Sequence, residues 1–267
     1  MPVSVFAFVS VFAWPPNWDR AQMVDAMARC VGLDPPDADL RVAKPPPLAI
    51  TRMEQRPAGA AVAALRDLGI RAFAPTKRQI DGLDRPILAK RMSQAQGATS
   101  PMYLIEPWRG ESAGLLMSDV FLILRAQVAS TRSTAADPIT QVGFDTATGV
   151  MSLDRVLGRT PRTSLAQVIE LHCLDGRRIR IDANKFNFDC LGDDRAMADA
   201  VNADLLAEQL ISQAPRAAVE TGFRDFSPPP GASRPLDPGS PLFRSRMPEF
   251  EFYSAWLHIL HRIALDA

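Results

Sequence analysis

The sequence predicts an α+β fold, and three observations carry this prediction. Residues 168–182 alternate apolar and polar side chains on either side of an Asp175-Gly176 turn, as the two strands of a β-hairpin do. A stretch with the apolar periodicity of an amphipathic helix follows and ends at Pro215. Short strand and helix signals alternate through residues 1–75. A helix with one apolar face that follows an antiparallel sheet most simply packs on that sheet.

The register of the hairpin follows from which side chains would share a face. A two-residue loop would set Leu171 opposite Arg180, whereas a three-residue loop sets Leu171 opposite Ile179. A shift of one residue turns every side chain to the other face, so we predict the three-residue loop, with Gly176 at a positive φ angle. This register also places Glu170 opposite Arg180 on a face that we expect to be exposed to solvent.

The helix after the hairpin has both a start signal and an apolar stripe. Asp193 and Asp194 supply carboxylates where the first helical amides need acceptors. The stripe consists of Met197, Val201, Leu205, Leu206 and Leu210. We expect this stripe to cap the sheet that contains the hairpin.

Residues 1–75 form a predicted small domain with the order β-α-α-β-α-β. Its first strand lies within the apolar stretch Val3–Trp14, which no basic residue precedes and Pro15-Pro16 follows, so a signal peptide is not expected. With Gly32-Leu33 after the first helix and Ala63–Ile70 before the last strand, this order resembles the C-terminal domain of the bacterial ribosomal stalk protein.

The resemblance to the stalk protein implies a topology and no more. In that family a lysine-bearing segment after the first helix contacts translation factors. The matching residues 32–39 are acidic and contain prolines. The factor-binding role is therefore not carried over.

Two further regions complete the predicted domain organisation. Residues 76–101 are polar, end in Gly, Ser and Pro, and are predicted to be an interdomain linker. Residues 102–216 contain several short strands, the hairpin and the amphipathic helix, and resemble an antiparallel, partly closed pleckstrin-homology-like barrel capped by a C-terminal helix. The loop that grips phosphoinositides in lipid-binding members of that family contains only Arg109 as a basic residue, beside Glu106 and Glu111.

Residues 217–267 are predicted to be a proline-rich spacer and an aromatic tail helix. The spacer covers residues 227–241 and contains six prolines. The helix, residues 249–264, places Tyr253 and Trp256 on an apolar face that requires burial. It either docks on its own chain or forms a partner surface, and we favour docking.

The composition limits the class of protein. Thirty basic residues balance thirty acidic ones, so no global charge favours nucleic acid or anionic lipid. Only four of the basic residues are lysines, which is typical of GC-rich bacterial coding sequences. Three widely spaced cysteines suggest no disulfide framework. We expect a cytoplasmic protein without a membrane span.

No motif predicts catalysis, a cofactor or a metal. His258 and His261 are three residues apart on the tail helix, a spacing compatible with metal ligands, but no acidic or cysteine partner is near in sequence. No serine lies in a nucleophile elbow, and no glycine-rich phosphate loop is present. We therefore predict a protein that is not an enzyme and that requires no cofactor.

Two functions remain open at this stage. The first is a protein-interaction or adaptor module that uses Tyr253 and Trp256 on the tail helix. The alternative is a ligand-binding or nucleic-acid-binding module that uses the face of the hairpin carrying His172, Arg178 and Arg180. Neither the identity of a partner nor the oligomeric state follows from the sequence.

Overall fold

The computed structural model describes residues 5–95, 101–144, 151–229 and 243–266. Its strands are β1 (Phe6–Ala13), β2 (Leu48–Glu54), β3 (Arg71–Phe73), β4 (Ile87–Gln94), β5 (Met102–Pro107), β6 (Ala113–Leu116), β7 (Val120–Phe144), β8 (Met151–Cys173), β9 (Arg178–Asp182), β10 (Ala218–Glu220) and β11 (Phe243–Ser245). Its helices are α1 (Arg20–Val31), α2 (Pro35–Val42), α3 (Gln55–Asp67), α4 (Lys77–Asp81), α5 (Asp199–Gln213) and α6 (Met247–Asp266). The predicted α+β class is confirmed, and none of the described helices has the length and apolarity needed to cross a membrane.

The N-terminal part is a three-stranded antiparallel sheet in the order β2-β1-β3, with helices packed on it. The order of its elements, β1-α1-α2-β2-α3-β3, is the one that the sequence predicts. Helix α1 begins after Asp19, whose carboxylate accepts from the Gln22 backbone N–H at 2.8 Å, while the Gln22 side chain accepts from the Asp19 N–H at 2.9 Å. It ends at Gly32, which has a φ of 76°.

The second sheet is an open path of strands in the order β10-β7-β8-β9-β4-β5-β6, and β11 pairs with β7. The antiparallel barrel predicted for residues 102–216 is not confirmed. Among the described strands, β10 and β6 are edges, and two neighbouring pairs, β4 with β9 and β10 with β7, are parallel. Residues 76–101, predicted to be a linker, supply α4 and the strand β4, which lies between β9 and β5 in this path.

The β8–β9 hairpin has the predicted register. Leu171 pairs with Ile179 and Glu170 pairs with Arg180. Gly176 has a φ of 91°, as the bulged turn requires. The prediction of a solvent-exposed face on this hairpin is wrong, because α6 covers the side that carries Glu170 and Arg180.

Replacing Gly176 with alanine is expected to lower the free energy of unfolding by about 1 kcal/mol, because a Cβ atom is disfavoured at positive φ. No atom lies within 4 Å of the position that this Cβ would take, so the effect arises from the backbone alone. Urea denaturation measures it. Gly114→Ala is the control, since Gly114 also has open space around it but does not have a positive φ. Equal stabilities of the two variants would contradict the role assigned to Gly176.

Helix α5 packs on one face of the second sheet. Leu206 and Leu210 are fully buried against a cluster that includes Ile179 and Ile181. The other three residues of the predicted stripe, Met197, Val201 and Leu205, are exposed. The helix begins at Asp199, after a short 3-10 turn at Asp189–Asp194, so Met197 precedes the helix, and Val201 and Leu205 lie on its exposed face.

Helix α6 packs on the opposite face of the same sheet and also contacts the N-terminal sheet. Its core cluster unites Trp256 and Leu260 with Leu122 of β7, Val168 of β8 and Phe8 of β1. Docking of the tail helix on its own chain is therefore confirmed. The predicted proline-rich spacer, residues 227–241, lies outside the described residues from position 230 onwards.

Candidate functional site

All five residues predicted to form a binding site lie on or directly beneath α6. His172, Arg178 and Arg180 project from β8 and β9 towards the helix, and Tyr253 and Trp256 project from the helix itself. None of the five is more than 6% exposed. The structure brings these residues to one interface but seals most of them from solvent.

Glu170 is the centre of a buried ionic network between the hairpin and α6. Arg180 Nε donates to its Oε2 at 2.6 Å, and Ser254 Oγ donates to its Oε1 at 2.5 Å. Arg178 Nη1 lies 3.5 Å from the same Oε1 atom, and Arg178 Nη2 donates to the Asp84 carbonyl at 2.6 Å. Burial lowers the pKa of Arg178. Because side chains alternate between the two faces of β8 and β9, one carboxylate and two guanidinium groups point into the same buried layer between the hairpin and α6.

Two histidines form the other polar contact of this interface. His172 Nδ1 of β8 lies 3.0 Å from His258 Nδ1 of α6, which is a hydrogen bond in which one ring donates and the other accepts. Burial lowers the pKa of His172 well below its ordinary value, and the neighbouring His258 and Arg178 lower it further. Burial and the charges of Arg178 and Arg262 lower the pKa of His258 to about 4. Both rings are therefore neutral at pH 7.

This buried layer can hold α6 in place, but its geometry offers a substrate no access. His172 Nε2 lies 3.8 Å from Glu170 Oε1, beyond hydrogen-bond distance. Among the described residues, no group of three or more His, Cys, Asp or Glu side chains has the geometry to hold a metal ion. Burial raises the pKa of Cys173 to about 12 and that of Cys190 to about 11, so neither thiol is a ready nucleophile.

An accessible cavity lies elsewhere, between the two sheets, and we call it the inter-sheet groove. Its volume is about 470 Å³. Its lining includes Leu48–Ile50 of β2, Val219-Glu220 of β10 and Tyr253 of α6. The remaining walls come from α2, from Pro45–Pro47 and from the 3-10 turn Gly222–Asp225 with the residues that flank it.

The inter-sheet groove carries apolar and charged groups side by side. Leu40 and Val219 are 68% and 42% exposed within it. Lys44 Nζ donates to the Asp225 carbonyl at 2.5 Å and so joins α2's end of the groove to the 3-10 turn. A Cβ at Gly222 would lie 3.1 Å from Tyr253 Oη, so the small residue permits the close approach of the tyrosine.

Sequence reasoning found Tyr253 but missed the other residues of the groove. Leu40 and Val219 belong to elements far apart in the chain, and neither lies in a motif. The run Pro45–Pro47 is a local sequence feature of the groove lining. Proline has no backbone N–H donor, so a neighbouring strand cannot pair with three successive prolines.

Comparison of the chain with protein-family models, with curated proteins and with solved structures gives no match. The resemblances to the stalk-protein domain and to the pleckstrin-homology-like barrel thus stay predictions. The function has to be inferred from the geometry of the molecule.

Proposed function

We propose that this chain is a non-catalytic protein-interaction module that binds an extended peptide segment of a partner protein in the inter-sheet groove. The observation that carries the proposal is that an edge strand of each sheet lines the same cavity. The sequence predicts an adaptor role for the tail helix, whereas the binding surface proposed here is the inter-sheet groove.

The two edges supply main-chain hydrogen-bonding groups. In the part of the chain that the structure describes, β2 pairs only with β1, and β10 pairs only with β7. No further main-chain hydrogen bond is found there for Leu48–Ile50 or Ala218–Glu220. An extended peptide adds to such an edge through its backbone, which supports affinity without a particular sequence.

The side chains of the groove supply selectivity. Leu40 and Val219 offer apolar contacts to alternate side chains of an added strand. Arg41 and Asp37 place both signs of charge on the α2 side of the groove. An extended segment with apolar residues at every second position and polar residues between them matches this lining.

The alternative function, binding of nucleic acid or another anion at the hairpin face, has less support. Arg178 and Arg180 are 6% and 5% exposed and are engaged by Glu170. A phosphate group would reach them only after α6 left the sheet. In the groove, by contrast, Leu40 and Val219 are already 68% and 42% exposed.

A peptide-selection experiment tests the proposal. Random-sequence peptides are selected on the full-length protein, and the selected peptides are titrated against wild type, Leu40→Asp and Val219→Asp. We expect each substitution to weaken binding about tenfold or more, because burial of one such side chain contributes about 1.5–3 kcal/mol. Leu104→Asp is the matched control, since Leu104 is 48% exposed on β5, outside the groove.

Methylation of individual peptide nitrogens identifies the mode of binding. For a peptide that pairs with one of the two edges, methylation at every second position should abolish binding and methylation at the positions between should leave it intact, because only alternate residues of the peptide then donate to the neighbouring strand. Selected peptides whose affinity does not respond to either groove substitution would overturn the proposal.

A further inference from the structure

The contact between His172 and His258 is the only described hydrogen bond between side chains of β8 and α6 that contains no permanently charged group. It lies beside the Glu170 network, and both rings are nearly inaccessible, with 0% and 3% of their surface exposed. His172 Nε2 has no hydrogen-bond partner in the described structure. Phe121 of β7 packs edge-on against both rings.

We infer that the His172–His258 pair is a pH-sensitive latch that holds α6 on the second sheet, so that acidification releases this helix while the N-terminal sheet stays folded. The pair can keep its hydrogen bond only while at least one ring nitrogen at the contact is unprotonated. Two imidazolium rings at 3.0 Å would instead place two N–H groups and two positive charges face to face.

The charges around the pair make protonation more costly still. From β9, Arg178 and Arg180 face it, and from α6, Arg262 and His261 lie nearby. Among the residues that the structure describes, Glu170 is the one buried carboxylate, and it is already engaged by Arg178, Arg180 and Ser254. Glu220 of β10 lies 3.4 Å from His261 Nε2, and Glu251 pairs with Arg180 from the exposed side. No free carboxylate among these groups is placed to neutralise a second imidazolium.

The direction of the pH effect follows from linkage. Each histidine has a lower pKa in the docked state than in the released state, so the released state binds protons more readily. Docking is fully favoured above pH 6.5 and weakens as the pH falls from there towards 4. For His258 alone, the population of the released state should rise about 20-fold between pH 7 and pH 5.

Release of α6 would also dismantle the inter-sheet groove, because Tyr253 of this helix lines it. This consequence rests on the proposed function, whereas the latch itself does not. Peptide titration at pH 7 tests the groove alone, and the exchange experiment below tests the latch alone. Failure of one is therefore distinguishable from failure of the other.

Hydrogen–deuterium exchange of the full chain at pH 7, 6 and 5 tests the latch. Protection factors, corrected for intrinsic exchange, should fall about 20-fold or more in α6 over this range and stay constant in α3. In the double variant with His172→Gln and His258→Gln, protection of α6 should not depend on pH, and His261→Gln should behave like the wild type. If the double variant does not fold, the wild-type comparison of α6 with α3 decides. Unchanged protection of α6, or an equal loss in both helices, would overturn the inference.

Discussion

Glu170→Leu is expected to lower the free energy of unfolding by about 3–5 kcal/mol, because it leaves two buried guanidinium groups without their carboxylate. Arg180 Nε and Ser254 Oγ donate to Glu170 at 2.6 and 2.5 Å, and Glu170 is fully buried. The loss exceeds the net contribution of the ion pairs themselves, since both arginines would stay buried without their buried carboxylate, Arg178 keeping only polar contacts such as the Asp84 carbonyl and Arg180 keeping Glu251 at 3.6 Å.

Urea denaturation at pH 7 measures this effect, and the chain offers a matched control. Glu106 pairs with Lys90 at 3.0 Å and with Arg91 at 2.5 Å, but on the protein surface. Glu106→Leu should change the free energy of unfolding by less than about 1 kcal/mol. If both variants lose the same stability, the buried network does not have the role that we assign to it.

A triple variant separates the two contributions. When Glu170→Leu is combined with Arg178→Met and Arg180→Leu, no unpaired charge remains beneath α6. Most of the lost stability should then return, because apolar side chains of similar volume replace a buried ion network at little net cost. A triple variant as unstable as Glu170→Leu alone would show that packing, not charge, causes the loss.

The hairpin shows what local sequence can and cannot predict. The alternation of apolar and polar side chains predicts which residues pair, and Leu171 lies opposite Ile179 as predicted. The same alternation could not identify which face meets water, because the element that covers Glu170 and Arg180 comes from α6, more than sixty residues later in the chain. A charged face is a poor guide to exposure where a later helix can supply partners such as Ser254.

Strand β4 was missed for a different physical reason. Its buried residues, Ala89 and Met92, are three positions apart instead of two. The pairing of β4 with β5 shifts between Ala89 and Arg91, as at a β-bulge. A bulge adds one residue to one strand and so removes the period-two signal on which strand prediction depends.

The candidate groove could not be predicted from the sequence because elements that are distant in the chain form it together. Its sides come from β2 and β10, which are edges of two separate sheets and lie about 170 residues apart in the chain. Each strand alone has an ordinary apolar pattern. Their free edges line one cavity because α6 packs on both sheets and Lys44 binds the Asp225 carbonyl, and both are long-range contacts.

Trp256→Ala is expected to have a similarly large effect, with a loss of about 3–5 kcal/mol in the free energy of unfolding. Trp256 is fully buried where α6 meets the N-terminal sheet, and its ring stacks on Phe226 at 5.8 Å. Its Nε1 donates to Ser10 Oγ of β1 at 2.9 Å. Truncation therefore removes apolar burial, opens a cavity and breaks a hydrogen bond between α6 and the N-terminal sheet.

Trp108 serves as the control for Trp256. Trp108→Ala should change the stability by about 0.5 kcal/mol or less in the same urea titration, because Trp108 is 51% exposed at the end of β5. Trp256→Phe keeps most of the ring volume but loses the donor to Ser10, and it should cost about 1–2 kcal/mol. The loss of stability should therefore be largest for Trp256→Ala, smaller for Trp256→Phe and smallest for Trp108→Ala. We expect this order because Trp256 anchors α6 to β1. A Trp256→Ala variant as stable as Trp108→Ala would mean that α6 does not hold the two sheets together.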